Sequence, residues 1–321
     1  MSASTTASAP RMSIVLATDA YDTLRPVIAC LRRQTDRAQL EIVIVAPTES
    51  VDWAELSVFG AVRVVRVAAP LSLPAARTAG VRAAAAPIVY IGETHCFPQP
   101  NMTAVILAAF TDERCAAVVP AILNANPATA LSWASYLTDY GTWGSGRSAG
   151  ELEQPLVYNV AYRRAVLLAL GDRLGDLLDS NSEELWPILH ERQYYAHFEP
   201  AARTDHANAT RLAVMMNIRF CSGVLIGAKR ARRWPIWRRF SYVLASPLIP
   251  GVLLWRVRSS IRFGAPARTL PAGTMLAVAA GAVAKTMGEV MAYLGVSVPS
   301  AERRLTEAEL HKLRYARVGT S

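Results

Sequence analysis

In the stretch VYIGETHCFP, Val89 to Pro98, an apolar run ends directly in Glu93 and His95, a carboxylate and an imidazole one residue apart. Both side chains carry lone pairs, so a pair of this kind at the end of a strand can ligate a divalent cation. It can equally cap a helix beginning at Pro98, and the residues by themselves leave both roles open. A second carboxylate pair, Glu183 and Glu184, lies in DSNSEELWPILHERQ. Either acid can serve as a general base. Either can also sit in the first turn of a helix capped by Ser182 or Asn181. His206 follows Asp205 in FEPAARTDH and offers another imidazole, read here as part of a polar loop. Arg77, Arg211 and Arg219 supply positive charge suited to phosphate. His190 and His197 are assigned no role.

These residues need elements to position them. Met12 to Thr18 is a short apolar run, and Tyr21 to Gln34 carries Leu24, Val27, Ile28 and Leu31 at helical spacing. LEIVIVAP from Leu40 and VRVVRVAAP from Val62 read as further strands, Pro74 to Ala86 as a helix with proline near its start, and PIVYIG as the next strand. Such alternation predicts a mainly parallel sheet with helices on both faces, where ligands bind beyond the carboxyl ends of the strands. Glu93 to His95 falls at one of these ends. Of the 321 residues 52% are hydrophobic and 18% charged, which excludes a disordered chain and predicts a sizeable core. The formal charge of +9 suits an anionic partner: nucleotide phosphate, anionic lipid or nucleic acid. Cys30, Cys96, Cys115 and Cys221 show no CxxC spacing, so neither a zinc site nor a disulfide framework is expected, and a reducing cytoplasm is the simplest setting. Residues 1–10, rich in Ser, Thr and Ala, lack the apolar core of a secretory signal and are expected to be a disordered lead-in.

The order of these segments resembles the family-2 glycosyltransferases. The resemblance begins at SIVLATDAYDTLRPVIACLRRQT and continues through EIVIV and PAARTAGVRAAAAPIVYIGETH. It then takes in YNVAYRRAVLLALGD, SEELWPILHERQ and FEPAARTDH, covering about residues 11 to 210. It implies a GT-A nucleotide-sugar-binding domain with a mainly parallel central sheet over 11–210; the change of composition beyond it predicts a helical, basic and apolar membrane-associating region at 211–321. Glu93-Thr94-His95 falls on the family's DxD motif. The resemblance implies Glu93, His95 and His206 as ligands of a divalent cation, Mn²⁺ or Mg²⁺. It also implies Glu184, with Glu183 as rival, as the catalytic base, and Asn159 on the acceptor side. Asp19, Glu49, Arg77, Glu93, Arg211 and Arg219 are the implied donor contacts. The chain departs from the pattern in three places. No acid stands at Ala46 or Pro47 after the second strand, where Glu49 is the nearest substitute; Thr78 replaces the Asn of the family's Arg-Asn pair; and His95 replaces an Asp. An imidazole suits Mn²⁺ better than the hard Mg²⁺.

The chemistry asks for the same residue types. A nucleoside diphosphate leaves with charge building on its β-phosphate, which a cation or basic side chains must stabilise, while the acceptor hydroxyl needs a base. One direct displacement assisted by one base inverts the anomeric centre. Beyond residue 210, Arg and Lys mix with Trp, Phe, Leu and Ile, as befits a chain lying on an anionic membrane. Phe240 to Trp255 is apolar but only about 16 residues long and holds Pro247 and Pro250, short of the roughly 20 needed to span. Thr274 to Val298 is long enough, with Lys285 and Glu289 at the i,i+4 spacing of a partly exposed helix. A short helix is expected near Ser300. The expected protein is an inverting enzyme that takes sugar from a nucleotide-sugar donor to a glycan or lipid-linked acceptor of cell-envelope polysaccharide. Its expected place is the cytoplasmic face of the inner membrane, to which it attaches peripherally. A non-catalytic relative that binds a nucleotide sugar or scaffolds a membrane complex is the alternative. Nucleic acid is not an expected partner, because the basic residues alternate with long apolar runs and no reading motif accompanies them.

Overall fold

The computed structural model describes residues 9–69, 71–179, 181–265 and 270–316. Most of the expected lead-in, residues 1–8, lies outside them. The first strand, β1 (Met12–Ala17), is buried along its whole length. It pairs in parallel with β2 (Leu40–Ala46) on one side and β4 (Ile88–Gly92) on the other, and β3 (Ala61–Arg66) extends the sheet beyond β2. Strands β1, β2 and β4 are buried along their whole length and read as continuous apolar runs, which is why they were visible in the sequence, while β3 at the sheet edge is only half-buried. A 3₁₀ turn at Tyr21–Thr23 and helix α1 (Arg25–Leu31) link β1 to β2. Short α2 (Trp53–Leu56) follows β2, and α3 (Leu73–Ala83) links β3 to β4. Helix α3 comes so near β1 that a Cβ on Gly80 would lie 2.3 Å from Val15 Cγ1, so glycine is required there.

The sheet then changes sense. It continues with β5 (Cys96–Pro98), β6 (Cys115–Asn124), β7 (Gly150–Leu152), β8 (Val160–Arg163) and β9 (Tyr195–His206), in the order β3-β2-β1-β4-β8-β6-β9-β5 with β7 beside β9. Strand β8 pairs antiparallel with β4 and β6, so the expected parallel sheet is realised from β3 to β4 and turns antiparallel beyond. Between these strands lie α4 (Met102–Ala109), α5 (Ala130–Asp139), α6 (Arg164–Leu168), α7 (Leu174–Leu177) and α8 (Leu185–Glu191). One polar residue inside the sheet is structural. The Glu41 carboxylate is buried and accepts from Ser13 Oγ, from Arg63 Nε at 3.2 Å and from the Ala85 amide at 2.7 Å.

By compactness the chain divides in two. One unit runs as far as Pro120 and again from Ala149 to Thr204; the other takes Ala121–Ser148 and the chain from Asp205 onward. Strands β6 and β9 each run unbroken through a boundary. The second unit is built on α5, α9 (Leu212–Arg233), α10 (Ile236–Ala245), α11 (Ile249–Gly264), α12 (Thr274–Tyr293) and α13 (Ala301–Leu310). Helices α9 and α12 touch backbone to backbone, since a Cβ on Gly288 would meet Phe220 O at 2.2 Å. The Lys285–Glu289 pair differs from expectation. Glu289 is buried, and it bonds Arg230 Nη1 at 3.1 Å and Tyr242 OH at 2.5 Å beside the stacked rings of Trp234 and Tyr293. Lys285 adds a weaker contact at 3.8 Å. Its ammonium is shifted downward by burial despite Glu289.

The 240–255 stretch is also longer than expected. Pro247 and Pro250 fall in the first turn of a new helical segment, where a missing N–H costs nothing, so helical structure continues from Ile236 to Gly264. Among the described residues three helical segments are long and apolar enough to cross a membrane, by length and composition: Leu212–Arg233, Ile236–Gly264 and Thr274–Tyr293. The expected helix near Ser300 is α13, with Ser300 at its N-cap position.

Candidate active site

The chain order places β4 and β1 side by side with β2 beyond, so the sheet reverses its winding between β1 and β4. In open α/β sheets ligands bind at the carboxyl rim of such a switch point. Gly92 ends β4, and a Cβ there would meet Leu16 Cδ2 at 2.9 Å. The chain then turns through Glu93, Thr94 and His95 straight into β5. Helix α4 begins only at Met102, so these residues cap no helix. All three are buried, Glu93 to 7% exposure and His95 to 1%.

Asn159 holds this turn. Its backbone φ of +57° lies in the left-handed region, which asparagine tolerates better than most residues, and its amide donates to Ile91 O at 2.6 Å. That conformation brings Nδ2 to within 2.6 Å of Glu93 Oε2. His95 Nε2 lies 3.6 Å from the same oxygen, and Thr94 Oγ1 is 3.3 Å from His95 Nδ1. The third residue comes from β9. Cys96 Sγ meets Thr204 Oγ1 at 3.2 Å, and His206, two residues further along the same strand, projects on the same side as Thr204. Glu93, His95 and His206 each offer a ligand atom, all within 4.8 Å of one another; among the described residues no other three His, Cys, Asp or Glu form such a group. Burying a carboxylate and two imidazoles together is costly unless a charge compensates them. One carboxylate oxygen and two imidazole nitrogens form a donor set that can hold a divalent cation. His206 is thus the buried last residue of a strand and lies in no loop.

A cavity of about 510 Å³ opens beside the carboxyl ends of β1 and β2, with Tyr21, Arg25, Thr48, Ser50, Asp52 and Trp53 in its wall. Arg25 is held by Asp22 at 2.8 Å, Glu55 at 2.5 Å and Asp52 at 3.4 Å, while Tyr21 OH donates to Glu55 at 2.9 Å. Burial and the Glu55 carboxylate push the Tyr21 hydroxyl upward, so it stays a donor at neutral pH. Asp52 accepts from the Ala54 and Glu55 amides at the start of α2, and those bonds, with Arg25, hold its carboxyl below the usual range. None of these wall residues was picked out from the sequence. An acid does reach the cavity wall beyond β2: Asp52, six residues past Ala46, whose cue in the sequence was a helix N-cap pattern in VDWAEL. Glu49 is exposed and is not among the wall residues; Asp19 is half-buried just past β1.

The remaining expected residues separate. Arg77 is buried in α3, with its guanidinium 4.6 Å above the Tyr158 ring and Nη1 donating to Leu178 O at 3.4 Å. It therefore faces the segment that carries Asn159 and the one that leads to Glu184. Glu184 is the residue before α8, half-buried and 3.3 Å from Arg173 Nη2; Glu183 is exposed. Neither acid occupies the first turn, and the Glu184 amide donates to Ser182 Oγ at 3.4 Å. Arg219 meets a different partner from the one expected. Its guanidinium grips Asp139 at 2.5 and 2.9 Å and Ser135 O at 3.2 Å, tying α9 to α5. Arg211 is exposed at the start of α9, with its guanidinium 5.9 Å from the Tyr315 ring centre.

Residues 13–170 match the family model described as glycosyl transferase family 2. No curated protein sequence matches the chain. Among solved structures it is similar to the mannosyltransferase PcManGT from Pyrobaculum calidifontis, in complex with GDP-Man and Mn²⁺, at 19% identity and a TM-score of 0.48, covering 95% of this chain and 88% of that one. It is also similar to S. aureus TarS 1–349 in complex with UDP, at 12% identity and a TM-score of 0.44 over 89% and 92% of the two chains. GalNAc-T7 with UDP, GalNAc and Mn²⁺ gives 17% identity and a TM-score of 0.44 over 61% of this chain, which spans 43% of the length of that protein.

Proposed function

Residues 13–170 belong to glycosyl transferase family 2, and from that premise we propose that the chain moves a sugar from a nucleotide-sugar donor, with inversion, to a lipid-linked or polymeric acceptor at the cytoplasmic face of a membrane. The observation that carries the reading is the buried convergence of Glu93, His95 and His206 at the carboxyl rim of a GT-A sheet. These three would hold a divalent cation, with Mn²⁺ favoured by the donor set. When bound, the cation supplies positive charge against the departing diphosphate.

The chain's own groups divide the rest of the work. The cavity walled by Tyr21, Arg25, Asp52 and Trp53 seats the nucleoside, with Asp52 and Arg25 as hydrogen-bonding groups and Trp53 as an exposed ring. Arg77, braced on Tyr158, adds charge toward the phosphates. Asn159 fixes the Glu93 carboxylate. Glu184 takes the proton from the acceptor hydroxyl, and the Arg173 guanidinium, 3.3 Å away, holds the carboxylate in place.

For the membrane, the sequence from Ala207 to Gly288 holds 13 Lys and Arg and not one Asp or Glu. Ile236, Trp237, Phe240, Leu244, Leu248 and Trp255 are exposed along one helical run. A cationic chain with an exposed apolar stripe is suited to an anionic lipid surface. The variant His95 favours the second reading, a non-catalytic binder of nucleotide sugar. Thermal shift of the full chain with UDP- and GDP-sugars, each with Mn²⁺, Mg²⁺ or neither, tests the proposal. A rise in melting temperature with one nucleotide sugar that needs Mn²⁺ is expected. No shift with any donor under any metal condition would sink it, and a shift without turnover on any acceptor would move weight to the second reading.

A further inference from the structure

We propose that Asn208 is a positioning residue that fixes the proton of His206 on Nδ1, so that the ring offers its Nε2 lone pair to the cation; the inference rests on the cation site proposed above. The His206 ring is buried against Tyr140, with centroids 4.2 Å apart, and its Nδ1 lies 3.0 Å from Asn208 Oδ1. Two neutral tautomers would satisfy that contact with opposite roles for the amide: Nδ1–H donating to Oδ1, or Nδ1 accepting from Nδ2 after an amide flip. The surroundings of Asn208 allow only the first. Its Nδ2 lies 2.9 Å from the His206 carbonyl and 3.0 Å from Asn124 Oδ1. The carbonyl is an acceptor without choice. Asn124 Oδ1 is held as an acceptor by the Asn126 amide at 3.1 Å and by Ser132 Oγ at 2.9 Å. A flipped Asn208 would set its oxygen against two acceptors at once, inside a buried network where each such loss is expensive. The backbone shares in the lock. The Asn208 amide donates to Asn126 Oδ1 at 2.9 Å, and Asn126 Nδ2 donates back to Asn208 O at 2.8 Å. With the amide fixed, Nδ1 must carry the hydrogen, and Nε2 is left as the basic nitrogen of the neutral ring. An imidazole ligand oriented through its other nitrogen is the usual arrangement around a bound metal.

The test begins without metal. In the full chain labelled with ¹⁵N-histidine at pH 8, the His206 signals are identified by their loss in His206→Gln. Protonated Nδ1 and unprotonated Nε2 are expected; a proton on Nε2 would overturn the inference. Mn²⁺ titration followed by electron paramagnetic resonance then measures the consequence. Asn208→Ala, if folded, should weaken Mn²⁺ by about 10–100-fold, and an unchanged affinity would overturn the inference equally. Should Asn208→Ala not fold, the spectrum of the unaltered chain still decides. A parent chain with the expected tautomer that ignores Mn²⁺ would sink the cation reading while leaving the hydrogen-bond lock standing.

Discussion

Replacing Arg219 by leucine separates two roles for that arginine, donor contact or structural tie. The side chain is 7% exposed and makes two hydrogen bonds to Asp139 and one to Ser135 O. Removing one partner of a fully buried pair costs about 3–5 kcal/mol, because the other charge is left uncompensated. About a third of the Asp139 side chain reaches the surface, so water recovers part of that cost and roughly 2–3 kcal/mol is the better expectation. In a unit of this size that lowers the melting temperature by about 4–12 °C. The pH dependence has a definite sign. Burial alone would raise the Asp139 carboxyl, but the Arg219 charge and hydrogen bonds outweigh it and hold the group below its ordinary value. The pair therefore stabilises fully above the unfolded carboxyl value of about 3.9, and loses that contribution as pH falls through the folded one. Circular dichroism melts of the parent and Arg219→Leu should differ at pH 7 and converge toward pH 3. Arg219→Leu combined with Asp139→Leu should regain most of the loss. An Arg219→Leu protein that melts like its parent at pH 7 and binds nucleotide poorly would refute the structural role and restore the donor contact.

Glu184→Gln should lower turnover by about 10²–10⁴-fold with nucleotide binding spared, and Glu183→Gln should stay within a few-fold of the parent; equal rates for Glu184→Gln and the parent would leave the base unassigned. Asn159→Gly keeps the left-handed backbone and removes the amide from Glu93, so it should fold and bind Mn²⁺ about 10–100-fold more weakly, as read by titration. Gly288→Leu forces α9 and α12 apart and should cost more than about 2 kcal/mol. Gly251→Ala in α11, where an added Cβ meets nothing within 4 Å, should gain about 0.5–1 kcal/mol, and melts of the two check the contrast. Flotation with phosphatidylglycerol vesicles should carry the full chain, and replacing Trp237, Phe240 and Leu244 by serine should reduce binding more than 0.5 M salt does; a salt-sensitive but serine-insensitive association would mean that charge alone holds the surface.

What the sequence determined by itself is whatever depends on neighbours in the chain. Continuous apolar runs gave β1, β2 and β4, because strands covered on both faces admit little else. Proline at Pro74 and the following period marked α3, and the end of the β4 run located Glu93 and His95. The order of such segments was enough to suggest the family. Tertiary structure decided which distant side chains meet. Asp139 and Arg219 are 80 residues apart, Glu93 and Asn159 are 66, and Asn126 and Asn208 are 82. No periodicity reports such pairs, since they depend on strand order and on where helices cross. His206 looked like a loop residue because EPAARTDH mixes polar and small residues, yet strand pairing draws it into the sheet and buries it to 1%. Asp52 drew no reading from the sequence, because only the turn after β2 brings it to the cavity wall. Local pattern fixed the frame, and the geometry of the site followed from contacts whose loop-closure cost is met only when the whole sheet forms.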